Sequence, residues 1–105
     1  MNNKFIFYFE NACKIYLTGD FNNWQPKHSP MEHKEKNLWQ ITLSDLEPGK
    51  YRYRFEIDNK FELNDPIANL YTPENDRLAS LLIINENDER IINTKQYNVH
   101  LNNYF

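Results

Sequence analysis

The chain has 105 residues, room for one small domain, and 40% hydrophobic with 15% aromatic residues supplies a single core. A formal net charge of −3 with acids and bases interspersed leaves no basic patch for phosphates, which argues against a nucleic-acid partner. Two glycines cannot build a Gly-rich phosphate cradle, a lone Cys13 forms no intramolecular disulfide, and no apolar run is long enough for a membrane span. The apolar run at the N-terminus ends at Glu10, too short for a secretory signal, so the expected location is the cytoplasm.

The periodicity is two nearly everywhere. Phe5, Phe7 and Phe9 alternate with Ile6 and Tyr8, so a first strand is expected with both faces apolar and buried. Glu10-Asn11-Ala12 reads as a turn, and Lys14 to Thr18 as a second strand. Gly19, Asp20, Asn22, Asn23 and Pro26 then form a breaker-rich loop that carries Trp24. The charged run His33-Lys34-Glu35-Lys36-Asn37 reads as a solvated hairpin tip. Leu38 to Leu43 alternates, with Trp39, Ile41 and Leu43 on one face.

In Leu46-Glu47-Pro48-Gly49, proline presets φ and glycine supplies a positive φ, the pattern of a type II turn. Tyr51, Tyr53, Phe55 and Ile57 alternate with Arg52, Arg54 and Glu56, a strand with one buried and one polar face. Asp58-Asn59 is a two-residue hairpin signal, after which Lys60 to Leu63 returns. That register pairs Ile57 with Lys60 and Glu56 with Phe61, which puts Phe61 on the polar face of Arg54. Asn64-Asp65-Pro66 ends the strand, residues 67–77 read as an irregular polar loop, and Leu78 to Ile84 as a last apolar strand. Residues 1–84 are expected to form an antiparallel β-sandwich with Trp39, Tyr51 or Tyr53, Phe55 and Leu82 in its core. Residues 85–105 are a C-terminal extension, an extra strand over Tyr97, Val99 and Leu101 or a tail.

No catalytic constellation stands out. His28 and His33 with Glu32 sit in a loop that offers a metal no supporting shell, and no metal or other cofactor is expected. Glu56, Asp58, Glu62 and Asp65 cluster near one hairpin, where a polar strand face accounts for them. Ser29, Ser44 and Ser80 lack a nucleophile-elbow context, and Cys13 has no base nearby. No catalytic or metal-binding residue is therefore assigned. Trp39 holds the apolar phase of a strand and belongs to the core, whereas Trp24 lies in a loop. A loop tends to leave one face of an indole wet, so Trp24 either caps the end of the sandwich or offers a platform to a flat apolar ligand face such as a pyranose.

The order and spacing of Tyr16-Leu17-Thr18-Gly19-Asp20-Phe21-Asn22-Asn23-Trp24, Met31, Trp39, Leu46-Glu47-Pro48-Gly49, Tyr51-Arg52-Tyr53-Arg54-Phe55, Ile57-Asp58 and Asp65-Pro66 resemble carbohydrate-binding module family 48. This is the glycogen- and starch-binding sandwich of AMP-activated protein kinase β subunits and of α-glucan branching and debranching enzymes. The resemblance implies an all-β, immunoglobulin-like fold and non-catalytic binding of α-1,4-linked glucan or maltooligosaccharide, with no nucleic acid or membrane partner. It implies that Trp24 matches the first sugar-stacking tryptophan and Arg54 a basic residue, usually lysine, that hydrogen-bonds glucose hydroxyls. Phe61 falls where a second tryptophan is common, and Asn75 and Ser80 are the polar side chains available in the loop before the last strand. The alternatives it carries are an accessory N-terminal domain of a glycoside hydrolase family 13 type enzyme, or an interaction module of a regulatory subunit that docks a catalytic or regulatory partner. An apolar strip on the tail, Tyr97 to Phe105, would serve the latter.

Overall fold

A computed structural model describes residues 2–91. Its strands are β1 (Asn2–Tyr8), β2 (Ile15–Gly19), β3 (Glu32–Glu35), β4 (Leu38–Ser44), β5 (Gly49–Ile57), β6 (Phe61–Leu63), β7 (Leu70–Glu74) and β8 (Arg77–Ile84). They form two antiparallel sheets, one in the order β1-β4-β3 and one in the order β2-β5-β8-β7 with β6 also on β5. Alternating apolar residues on two such sheets can bury both sets of side chains only face to face, and the result is an all-β sandwich of immunoglobulin-like type.

Phe5 and Phe7 of β1 meet Tyr53 and Phe55 of β5 across the sandwich. Phe7 stacks on Phe55 at 4.3 Å between centroids, and Phe5 sets its edge against Tyr53 at 5.1 Å. Ile15, Leu17, Trp39, Ile57, Leu82 and Ile84 complete the core. The expected core residues Trp39, Tyr53, Phe55 and Leu82 are all buried, while Tyr51 is only partly so. Each such side chain contributes about 1.5–3 kcal/mol by leaving water.

Five local expectations need correction. First, among the described residues β1 pairs with β4 alone and is covered on one face only, and Tyr8 is exposed. Aromatic content on both faces of a strand does not by itself mean a central strand. Second, Pro48-Gly49 makes no type II turn, which needs φ near +80° at the glycine. Gly49 has φ 155° and opens β5, and the left-handed residue of the connection is Asp45 at φ 58°.

Third, the β5–β6 hairpin has a three-residue loop. Asp58 and Asn59 both take left-handed backbone, the Lys60 amide donates to the Ile57 carbonyl, and Ile57 pairs with Phe61. Asp58 also accepts the amides of Cys13 and Lys14, which ties this loop to the start of β2. Fourth, residues 67–77 are not irregular throughout. β7 lies inside them and is joined to β8 by Asn75 and Asp76, with Glu74 opposite Arg77. The tight turn was hidden because Asn75, at φ 56°, does the work usually signalled by glycine. The charged run at 33–37 is also partly strand, since β3 occupies Glu32–Glu35 as an exposed edge.

After β8 the chain folds back, with Arg90 bridging to Ile84 and the Ile91 amide donating to Ile83. The expected strand over Tyr97, Val99 and Leu101, and the strip to Phe105, lie outside the described residues.

Candidate functional site

The loop after β2 is built by Asn22. Its Oδ1 accepts the Gly19 amide at 3.0 Å, and its Nδ2 donates to the Leu17 carbonyl and the Ser29 hydroxyl, both at 2.9 Å. These bonds curl Asp20–Asn22 into a single 3₁₀ turn. Gly19 itself has no room for a side chain, because a Cβ would meet the Arg52 carbonyl and stand 2.8 Å from the Tyr53 Cβ. The turn therefore sits directly on β5. Asn23 and Trp24 follow with φ 55° and 59°, two consecutive non-glycine residues in the left-handed region. For a residue as bulky as tryptophan that backbone is an outlier and must be held by its surroundings.

Three contacts hold Trp24. Its amide donates to the Gly19 carbonyl at 2.8 Å, its indole Nε1 donates to Asp20 Oδ1 at 3.1 Å, and the Arg54 guanidinium lies over its ring at 5.3 Å from the centroid. Asp20 in turn accepts the Arg52 amide at 2.8 Å, Arg52 Nε at 3.0 Å and Nη2 at 3.1 Å. Partial burial works to raise the Asp20 pKa, but the hydrogen bonds from Arg52 and Trp24 outweigh it and keep the carboxyl below its usual range. The indole is half-buried, so one face is held and the ring stays accessible.

Arg54 points to the same side of β5 but does not reach solvent; its side chain is 4% exposed. Nε and Nη2 donate to the Leu78 carbonyl, and Nη1 pairs with Glu74 at 3.0 Å and Glu62 at 3.4 Å. Glu62 makes a shorter pair with the exposed Arg77, at 2.6 Å. Asn75 is exposed at the tip of the β7–β8 hairpin, and its Nδ2 donates to Glu74 Oε2. The fold thus joins Trp24, Arg54 and Asn75 through Glu74. Glu56 lies on this face too, opposite Tyr16 of β2. Burial and then the Glu62 charge push its pKa up, against a smaller opposing effect of Lys27.

Two expected site residues are not part of this face. Phe61 pairs directly with Ile57, so it shares the core-side phase and stands 6.3 Å from Phe9. A one-residue change of register moves a side chain to the other face of a sheet. The aromatic that does share the Arg54 face is Tyr16, since Thr18 pairs with Arg54 and Tyr16 with Glu56. Ser80 is fully buried. Its hydroxyl accepts the Asp65 amide at 2.7 Å and donates to Asn64 Oδ1 at 3.2 Å, a structural knot behind the sheet edge.

Residues 2–73 match the family model described as carbohydrate-binding module 48, isoamylase N-terminal domain. The chain belongs to this family. The module is 28% identical over 104 residues to a 1,4-alpha-glucan branching enzyme GlgB of Prochlorococcus marinus (strain AS9601), covering 93% of this chain and 14% of the enzyme. It is 32% identical over 69 residues to GlgB 2 of Xanthomonas campestris pv. campestris (strain 8004), covering 62% of this chain and 9% of that protein. It is 36% identical over 59 residues to GlgB 2 of Clostridium perfringens (strain SM101 / Type A), with 54% and 9% coverage. The chain therefore spans a small fraction of the length of these curated relatives. Trp24, Arg54 and Phe61 lie within the matched segment, and Asn75, Arg77 and Ser80 lie beyond it.

Sequence reasoning missed Asp20, Arg52, Glu62, Glu74 and Tyr16 as parts of the Trp24 face. The alternation of β5 already put Arg52 beside Arg54, and Asp20 stood in the quoted Gly-Asp-Phe-Asn run. Glu62 and Glu74 come from two different hairpins, and only their registers bring them to one guanidinium.

Proposed function

We propose that the module binds α-1,4-linked glucan, as in glycogen or starch, without chemically transforming it. The observation that carries this reading is Trp24, a partly exposed indole held over Arg54 with its only polar atom already bonded to Asp20. A ring in that state offers a flat apolar face, and the CH-lined face of a glucose unit is its complement. Tyr16 on the same face can extend the platform along a curved chain of sugars. Asn75, Glu74 and Arg77 on the β7–β8 hairpin supply hydroxyl partners at its rim. One large platform ring supports weak binding, in the micromolar to millimolar range or about −4 to −8 kcal/mol.

The test is a titration with maltoheptaose followed by two-dimensional NMR. The Trp24 indole resonance and the amides of the β7–β8 turn are expected to shift in a saturable way. Trp24→Ala should remove most of the binding while the protein stays folded. A Trp24 resonance that does not move at saturating sugar would overturn the proposal.

A second reading is supported by coverage. The chain matches at most 14% of the length of the branching enzymes compared above. The same face would then serve as an accessory glucan contact in a longer α-glucan-active protein, which leaves the binding chemistry unchanged.

A further inference from the structure

A basic residue beside a sugar-stacking ring invites the idea that it donates to glucose hydroxyls. Arg54 is poorly placed for that. Its side chain is 4% exposed, and every guanidinium nitrogen already has a partner: the Leu78 carbonyl for Nε and Nη2, Glu74 and Glu62 for Nη1. Four of its five N–H donors are taken, and a hydroxyl could reach the group only by entering a nearly dry setting or by drawing it off two carboxylates and a carbonyl, where lost partners are expensive. Its guanidinium carbon instead lies over the Trp24 ring, 5.3 Å from the centroid. That ring stands on a left-handed backbone that a bulky side chain disfavours, so something must hold it in place.

We infer that Arg54 is a positioning residue: it acts on a bound glucan only through Trp24, by clamping the inner face of the indole, and makes no hydrogen bond to the sugar. The inference rests on the glucan-binding reading of Trp24. A desolvated guanidinium over an indole is the strong form of a cation–π contact. The carboxylates and the Leu78 carbonyl fix the cation in the plane its fork requires, and the cation fixes the ring. With Nε1 also held by Asp20, the ring arrives at the sugar already ordered, and little side-chain freedom remains to be lost on binding. Lysine cannot copy this. It carries a point charge on a flexible stem and lacks the planar fork that spans these partners.

Arg54→Lys separates clamping from donation, because a lysine can still donate to a hydroxyl. In the sugar-free protein, the Trp24 indole N–H resonance of this variant should shift and broaden while that of buried Trp39 stays in place. Maltoheptaose affinity should fall by about 3- to 10-fold through lost pre-organisation. An unchanged Trp24 resonance with retained affinity would show that the planar fork does not hold the ring, and would sink the inference. A shifted resonance with unchanged affinity would sink it as well, since the clamp would then be without effect on the sugar. Should Arg54→Lys fail to fold, Glu74→Gln removes the charge of one anchor and keeps the cation. It should move the Trp24 resonance in the same direction by a smaller amount, and no movement would overturn the clamp. If wild-type protein does not bind maltoheptaose at all, the glucan reading fails, and the sugar-free resonances still report whether the clamp exists.

Discussion

Asp20 and Asp65 are each the hub of a small hydrogen-bonded cluster, and they serve opposite purposes. Asp65 is 3% exposed and takes the Tyr53 hydroxyl at 2.6 Å and the Ile67 amide at 3.0 Å. Its own amide donates to Ser80, and its carbonyl accepts the Tyr71 hydroxyl. Burial, and then the charge and hydrogen bond of Asp65, push the Tyr53 phenol far above its ordinary pKa, so that hydroxyl remains a donor. All these partners are neutral groups of the core and the loop that seals it. The Asp20 side chain is 25% exposed, and its partners are an indole and a guanidinium at the surface. One aspartate closes the sandwich and the other aims a ring out of it. The residue type is the same, and the difference lies in what burial lets each one hold.

The contrast can be broken most directly at Asp65. Asp65→Ala leaves the buried Tyr53 hydroxyl and the part-buried Ile67 amide without this acceptor, and should cost about 2–4 kcal/mol in urea denaturation. A loss below about 1 kcal/mol would mean that the cluster is not holding the fold.

At Asp20 the expected stability effect is smaller and the functional effect larger. Asp20→Ala should cost about 1–2 kcal/mol, as for a charged hydrogen-bond acceptor at a partly exposed site. It should also displace the Trp24 indole resonance and weaken maltoheptaose binding. Because the folded-state pKa of Asp20 is depressed, its contribution is fully present above the unfolded value of about 3.8 and is lost as pH falls through the lower folded value. The Trp24 indole resonance should therefore titrate with its midpoint at that depressed value, below the usual aspartate range. A resonance that titrates above pH 4 would remove Asp20 from the role assigned to it.

The smallest effect is expected at Phe61. It is 46% exposed and lies on the core-side phase, away from Trp24. Phe61→Ser should change stability by about 0.5 kcal/mol or less and leave maltoheptaose affinity unchanged. A clear loss of affinity would return Phe61 to the binding face and call the β5–β6 register into question.

Much of this protein was legible before folding because its signals are local. Period-two alternation located β2, β4, β5 and β8 and chose Trp39, Tyr51 or Tyr53, Phe55 and Leu82 for the core, since a strand buries every second residue whatever its partner. The breaker residues around Trp24 marked a loop and singled out that tryptophan for the same reason. Pairing was not legible. The length of the Asp58-Asn59-Lys60 loop differs by one residue from the expected hairpin, and that single step moved Phe61 from one face of the sheet to the other. β7 escaped notice because Pro73 and polar neighbours disguise an edge strand, where a missing amide costs little.

The sequence by itself determined the fold class, the core, the family features and the candidate tryptophan. Those depend on composition, on spacing along one strand, and on turn residues that act on their own backbone. Tertiary structure alone decided what surrounds the tryptophan. Arg54 became a buried clamp because carboxylates from β6 and β7 and a carbonyl from β8 converge on it. Ser80 became a structural hydroxyl because Asn64 and Asp65 fold over it. Hydrogen-bond partners and burial are properties of residues brought together from distant positions, and no spacing within one strand encodes them.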